Sequence, residues 1–273
     1  MSGVHDLAII GKNVSLGDEV QVGPYAVIGD NVKIGNGTVI ESHAIVRSGT
    51  IIGDGCFVDS FAAIGGPPQD ESFDTAIPSG VIVGNDTIVR ECVTIHRSTN
   101  EAGFTKIGNS CMLQSGAHVA HDCEVGDHTI LASGSMLGGK VKLGQKCFIG
   151  GGAAVHQNVV VGDCVILSGN SATALDLPPY VMAAEVSTII GLNLVRLRRE
   201  KVDNGNVIAL KDCFREFYKR NGSFKDRAKA MIESGYGRTY ETLNFLNFFL
   251  EESKRGVAPK RHKIVKYDTA RTE

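Results

Sequence analysis

Along the first two thirds of the chain, the hydrophobic positions recur every six residues. Beginning at Ile10, an aliphatic residue stands at 16, 22, 28, 34, 40, 46, 52, 58 and 64, usually with glycine after it, as in "IIG", "SLG", "QVG" and "KIG". The pattern breaks at about 66–80, resumes at Val83, Val89 and Ile95, breaks again near 98–106, and then runs from Ile107 to Leu167. A period of six fits neither the 3.6 of a helix nor a plain alternation. Within each hexad, position 1 is aliphatic and position 5 is small or β-branched, as at Val14, Ala26, Thr38, Cys56, Ala117, Cys123, Cys147 and Ala153. Positions 3 and 4 are rich in Asp, Asn and Gly. Residues 5, 6, 1 and 2 therefore predict a short strand with 5 and 1 facing inward, and 3 and 4 predict the turn. Such self-similarity predicts a parallel β-solenoid of the hexapeptide-repeat kind. Three faces of six residues make a coil of eighteen, so residues eighteen apart stack about 4.8 Å apart.

From "DLPPYV" (176–181) onward the hexads stop. Three apolar sets with helical spacing follow: Leu192, Leu194, Val195 and Leu197; Val207, Leu210, Phe214, Phe217 and Tyr218; Leu243, Leu246, Phe249 and Leu250. The chain thus reads as a mainly β domain over 1–183, with inserted loops near 66–80 and 98–106, and a small α-helical domain over 184–273. Its final stretch, "APKRHKIVKYDTARTE", reads as a solvated tail.

Composition adds three points. With 42% hydrophobic and 21% charged residues the chain is of the soluble globular class, and no run approaches the eighteen apolar residues of a membrane span. Without a signal-like start, it is expected in the cytoplasm. The seven cysteines form no CxxC pair and read as reduced core residues, not as a zinc or redox site. Residues 181–273 carry 19 Lys and Arg against 12 Asp and Glu, whereas the first 180 carry 9 against 18. The C-terminal part is therefore where an acidic partner would dock. No nucleic-acid partner is expected.

The stretch "SGAHVAHDCEVGD" (115–127) places two histidines and an aspartate in a run otherwise built of glycine and small apolar residues. By the eighteen-residue step, His121, Gly139 and Gln157 form one column at a corner, and Asp122, Lys140 and Asn158 form the next. His118 and His156 lie on the same face and point outward, so that His118, His121, Asp122, Lys140, His156 and Gln157 converge on one exposed strip about 10 Å long. A histidine beside a carboxylate is a candidate general base, since the carboxylate fixes its tautomer and stabilises its charged form. Gly139, one coil on, would offer an uncrowded N–H to an oxyanion. Metal binding by His96, His118 and His121, as in the γ-class carbonic anhydrases, is the competing chemistry. Asp122 and Lys140 bring a charged surrounding that imidazole ligands do not require, and no metal is expected.

The hexads together with "IGGPPQD" (64–70), "RECVTIHRST" (90–99), "HVAHDC" (118–123), "GGAAVHQ" (151–157), "DLPPY" (176–180) and "GLNLVRLRR" (191–199) closely resemble the acyl-carrier-protein-dependent UDP-N-acetylglucosamine O-acyltransferases. These enzymes catalyse the first step of lipid A synthesis. The resemblance implies a homotrimer of left-handed β-helices, active sites in the clefts between subunits, and no cofactor. The donor would be a 3-hydroxyacyl acyl carrier protein, received by the basic C-terminal domain, and the acceptor UDP-N-acetylglucosamine. By motif match His121 would be the base, Asp122 its orienting partner and Gly139 the oxyanion donor. Asp70, with Gln69 beside it, would bind the acyl 3-hydroxyl. His118, His156 and Gln157 would contact sugar and pantetheine, and Asn193 with Arg199 would bind the nucleotide, Arg199 through phosphate. Gly169, in "LSGNSA", would set acyl length from two coils above the catalytic strip, leaving the groove open to a long chain. Two positions depart from the family pattern. Lys140 stands where the family has histidine and would pair with Asp122, and Ser72 stands where it has lysine. Alternatives in keeping with these changes are a sugar carrying an amine at the 3-position and a paralogue that binds without turnover. An acetyl-CoA-dependent sugar acetyltransferase is disfavoured by the "IGGPPQD" loop and the C-terminal helices.

Overall fold

A two-residue strand cannot hold itself in water, so each hexad depends on its neighbours in the next coil. In the computed structural model, which describes residues 3–261, most strands of the solenoid are two residues long and pair in parallel with strands eighteen residues on. Val27 pairs with Ile45, and Ile130 with Phe148. Three sheets of 11, 9 and 8 strands result. The first includes Met112–Leu113, Ile130–Leu131 and Phe148–Ile149. The second includes His118–Val119, Met136–Leu137, Ala154–Val155 and Ala172–Thr173, and the third Glu124–Val125, Lys142–Leu143 and Val160–Val161. The strands are shorter than the four residues expected, because positions 5 and 2 already belong to the corners.

Position 1 fills the core: Leu113, Val119, Leu131, Leu137 and Ile149 are fully buried. Position 5 lines the corners, and one corner alternates Thr38, Cys56, Thr87, Cys111, Thr129 and Cys147. There the buried Thr129 hydroxyl donates to the Gly144 carbonyl at 3.1 Å and accepts the Cys147 N–H at 3.2 Å, so no polar atom is stranded. Burial pushes the Cys111 thiol up to about 11 and that of Cys123 to about 12. Cys92 is the exception, exposed at a turn. Glycine at position 2 has a steric cause: a Cβ on Gly126 would lie 2.6 Å from the Gln145 nitrogen of the next coil. Position 4 is left-handed, with φ of 60° at Asp122 and 63° at Lys140.

Both interruptions leave the same corner. Ala63 pairs with Thr94, 31 residues on, and Thr94 with His118, 24 on, so the two coils carry 13 and 6 residues beyond eighteen. Each excess follows a position 1 of the second sheet, Ile64 or Ile95, and projects as a loop, 67–79 or 97–103. Ile95 pairs with Val119, so both loops rise from the corner of His121.

The chain ends differ from expectation. Ile9 and Ile10, in the first described coil, are exposed where the hexads place Ile10 inward. The strand Val181–Ala184 extends the first sheet and pairs with Thr188–Leu192, so the sheet runs to Leu192 before helices begin. Four helices follow: α1 (Leu194–Arg199), α2 (Asn204–Phe217), α3 (Phe224–Glu233) and α4 (Tyr240–Asn247). Three fall on or beside the expected apolar sets. The third was not expected, although Ser223 caps it and Ala228 and Met231 bury its inner face. Phe217 joins α2 to the end of the bundle, stacking on Phe249 at 4.2 Å between centroids. The expected solvated tail begins too early: Ala258 is buried and its N–H donates to Asp176, while Arg261 N–H donates to Ile189 at 2.8 Å. The rest of that stretch, 262–273, lies outside the described residues.

Ile149 and Lys142 separate burial from strand membership, since both lie on strands but only Ile149 is enclosed. Ile149→Ala is expected to lower the unfolding free energy by about 2–5 kcal/mol and Lys142→Ala by less than about 0.5 kcal/mol, measured by denaturant titration.

Candidate active site

At the neighbouring corner the solenoid satisfies the N–H of turn position 3 with a short polar side chain from the next coil. Asn36 donates to Asp54 at 2.6 Å, Asn109 to Asp127 at 2.7 Å and Gln145 to Asp163 at 2.9 Å. The corner of His121 uses the same device in its first coils, from Lys12 to Asp30 at 2.7 Å and from Asp30 to Ser48 at 3.0 Å, but withholds it at His121. The residue one coil above His121 is Gly139, with no side chain to offer, and the residue above Gly139 is Gln157, exposed and a methylene longer than asparagine. Among the described residues, the Gly139 N–H has no hydrogen-bond partner. The His121 ring lies against Gly139 instead: a Cβ there would sit 2.6 Å from its Cε1 and Nε2. Only glycine leaves room for the imidazole, and the same absence bares an N–H beside it.

Loop 97–103 fixes the protonation geometry. His121 Nδ1–H donates to Asp122 Oδ2 at 2.8 Å, which leaves Nε2 as the nitrogen able to accept a proton. Asp122 Oδ2 also accepts the Thr99 hydroxyl at 2.6 Å, and Oδ1 accepts the Ser98 hydroxyl, the Thr99 N–H at 3.1 Å and the Asn100 side-chain amide at 3.0 Å. Partial burial pushes the Asp122 pKa up, but the bonds from Ser98, Thr99 and His121 more than reverse this, and the carboxyl lies below its ordinary value. The strip expected to be exposed is so only in part: Lys140, His156 and Gln157 are exposed, but the His121 and Asp122 side chains are only 18% and 9% exposed, because the loop covers them. Ser98, Thr99 and Asn100 escaped sequence reasoning. Their signal was an insertion rich in hydroxyl and amide groups at the His121 corner.

Behind the dyad, His118 Nδ1 bonds the Thr94 hydroxyl at 2.8 Å, and His96 meets it edge-on at 5.0 Å. Burial, then the nearby His118 and His121, drive His96 down to about 4, and burial lowers His118 also. His156 and Gln157 are exposed at the top of the column.

The other candidates are scattered. Gln69 and Asp70 are exposed on loop 67–79. The Ser72 hydroxyl and N–H donate to Asp70 Oδ1 at 2.7 and 2.9 Å and hold that carboxyl below its ordinary value, and the charges of His121 and Lys140 lower it further. The loop that carries Asp70 leaves the solenoid at the corner of His121. Asn193 is buried as the cap of α1, accepting the Arg196 N–H at 3.0 Å and donating to the Cys164 carbonyl at 2.7 Å. Its amide serves the fold, in contrast to the open nucleotide contact expected, whereas Arg199 is exposed in the last turn of α1. Gly169 lies not two coils above the strip but at the opposite corner of the second sheet, in the column of Ser115, Ser133 and Gly151, three coils from Ser115.

Comparison with known proteins decides the family. The profile described as UDP N-acetylglucosamine O-acyltransferase, domain 2, matches residues 176–258, and that of the bacterial transferase hexapeptide matches 7–42, 31–66 and 104–139. An acyl-[acyl-carrier-protein]–UDP-N-acetylglucosamine O-acyltransferase of Polynucleobacter asymbioticus is 49% identical over 265 residues, covering 94% of this chain and 99% of that one. The chain belongs to this acyltransferase family. The enzyme of that name from Cupriavidus metallidurans is also 49% identical, over 94% and 99% of the two chains. The solved UDP-N-acetylglucosamine acyltransferase of Campylobacter jejuni superposes with a TM-score of 0.88 at 36% identity, covering 94% of this chain and 100% of that one. That of Francisella novicida gives 0.89 at 28% identity over 95% of each.

Against the family pattern, Ser72 occupies the place of a lysine by bonding Asp70 directly. Lys140 does not make the expected pair with Asp122, whose oxygens are taken by Ser98, Thr99, Asn100 and His121; it stands exposed beside the cleft.

Because the folded pKa of Asp122 is below its ordinary 3.8, its ionised form stabilises the fold above that value, and this contribution is lost as pH falls through the lower folded pKa. Asp122→Asn is expected to remove this part of the acid-unfolding profile, flattening stability against pH below about 4 in urea titrations.

Proposed function

We propose that the protein transfers a 3-hydroxyacyl chain from acyl carrier protein to the 3-hydroxyl of UDP-N-acetylglucosamine, the first step of lipid A biosynthesis. The observation that carries this reading is the contact of the His121 ring with Gly139, which sets a proton acceptor beside an uncapped N–H. His121 Nε2 takes the proton of the sugar hydroxyl as its oxygen attacks the thioester carbon. The carbonyl oxygen becomes an oxyanion held by the Gly139 N–H, and the tetrahedral intermediate collapses by expelling the carrier thiolate, which recovers the proton from His121. Asp122 keeps the ring in the required tautomer and stabilises its charged form. His96, held neutral, adds no opposing charge. No step requires a metal or cofactor.

Asp70 receives the acyl 3-hydroxyl on the carboxylate oxygen that Ser72 leaves free, with Gln69 beside it. His118, His156 and Gln157 contact sugar and pantetheine, and Arg199 pairs with nucleotide phosphate in the cleft with a neighbouring subunit. Asn193 supports that contact by capping the helix that carries Arg199. A homotrimer accounts for the ridge on the corner between the first and second sheets, where Tyr25, His43 and Phe61 stack in successive coils with centroids 5.1 Å apart. Tyr25 is 54% and Phe61 61% exposed, and three and four coils further on, Met136 and Phe148 are also exposed on the two sheets that flank this corner. Arg198, Lys201 and Lys211 line a hollow between α1 and α2 that suits the acidic carrier protein. The free thiols of all seven cysteines fit a cytoplasmic setting. A second reading, acylation of an amine at the sugar 3-position, is favoured only by Lys140 and Ser72.

Purified protein assayed with 3-hydroxyacyl carrier proteins against both UDP-sugars tests the proposal. Turnover of UDP-N-acetylglucosamine is expected, and His121→Ala should lose roughly 10²–10⁴ in kcat. A variant keeping more than about a tenth of the rate would remove His121 from the role of base.

Acyl length is readable by the same assay. The second sheet between His121 and Gly169 presents small Ala154 and Ala172 outward, and nothing at Gly169 blocks a chain laid along it. The wild type is expected to prefer a long 3-hydroxyacyl donor, each buried methylene adding about 0.8 kcal/mol. Gly169→Met should shift the preference to shorter donors. An unchanged chain-length profile would move the ruler elsewhere, with exposed Met136 the next residue to test.

A further inference from the structure

Loop 67–79, which carries Asp70, leaves the solenoid at the corner of His121, yet little of the solenoid supports it. A hollow of about 710 Å³ lies beneath it, lined by Val46 and Arg47 on one side and by the loop's own Ala76, Ile77 and Pro78 on the other. The loop is tied down by the Ala102 N–H, which donates to the Pro78 carbonyl at 2.7 Å, and by one side chain that reaches three of its residues. The Arg97 guanidinium donates through one nitrogen to the Ile77 carbonyl at 2.5 Å and the Ser79 hydroxyl at 3.2 Å, and through another to the Thr75 carbonyl at 2.7 Å. Its carbon stands 4.9 Å from the centroid of the Phe73 ring. Residues 73, 75, 77 and 79 thus turn to the same cation, and the Arg97 N–H donates to Gly66, where the loop begins.

Arg97 directly precedes Ser98, Thr99 and Asn100, the groups that clamp Asp122. The Ser79 hydroxyl closes the link by donating to the Ser98 carbonyl at 2.6 Å. We infer that Arg97 is a positioning residue that registers Asp70 against the His121–Asp122 dyad and thereby sets the enzyme's preference for acyl donors bearing a 3-hydroxyl. The inference rests on the reading of Asp70 as the acceptor of that hydroxyl. A guanidinium suits the task because its planar fork reaches two carbonyls and an aromatic face at once, which an ammonium cannot.

The test compares kcat and KM for a 3-hydroxyacyl carrier protein and for the unhydroxylated donor of the same length, in wild type, Arg97→Ala, Arg97→Lys and Asp70→Asn. In both Arg97 variants the ratio of kcat/KM for the two donors should fall about tenfold or more, through KM of the hydroxylated donor. The pH profile of kcat should stay as in wild type, since the clamp on Asp122 is made by other residues. If Arg97→Ala does not fold, Arg97→Lys carries the test alone. A ratio unchanged in the folded variants, or an equal loss for both donors, overturns the inference while leaving Asp70 in its role. A wild type without preference for the hydroxylated donor, or an Asp70→Asn variant that keeps the preference, overturns the reading of Asp70 and this inference with it.

Discussion

Everything in this molecule depends on the hydrogen bonds that run from one coil to the next. Strands of two residues have no independent stability, so the register of eighteen is what turns hexads into sheets. That register is enforced from inside, because a slip of one residue would turn Leu143 outward and bring Lys142 into the core. It is enforced at the corners too, where glycine at position 2 admits the backbone of the next coil at a distance no side chain would tolerate.

The His121 corner arises where this regularity is relaxed. Elsewhere a short Asp or Asn caps the amide of the coil before it, as Asp127 caps Asn109. Gly139 withholds the cap and admits the His121 ring, so a single missing side chain yields both the seat for the imidazole and the bare donor beside it. The rigidity of the coils above and below then holds these groups without reorganisation, which is what electrostatic stabilisation of a transient oxyanion requires.

The two insertions supply what a regular coil lacks. Loop 97–103 gives Asp122 enough donors to remain ionised despite its partial burial, and loop 67–79, which leaves the same corner, carries a second carboxylate held below its ordinary pKa by Ser72. The neighbouring imidazoles are kept uncharged by burial, so the charges at the corner are chiefly the carboxylates and Lys140. Because Lys140 is at a left-handed turn position and exposed, it adds its charge to the cleft without entering the dyad.

The sequence by itself determined the solenoid, its core and the His121–Gly139–Gln157 column, because a fixed step of eighteen converts spacing along the chain into contact in space. It also marked the corner from which both loops leave, since each interruption follows an aliphatic position of the same face. Only the tertiary structure decided how the loops fold back. The clamp of Ser98, Thr99 and Asn100 on Asp122, the tie of Arg97 to loop 67–79 and the absence of a Lys140–Asp122 pair all depend on backbone paths that obey no period. The same holds for Asn193, which lies where helix meets sheet, and for Ala258–Arg261, whose polar composition hid a strand-like return onto Ile189. Periodic segments carry their neighbours in the sequence; aperiodic ones acquire them only when the chain has closed around them.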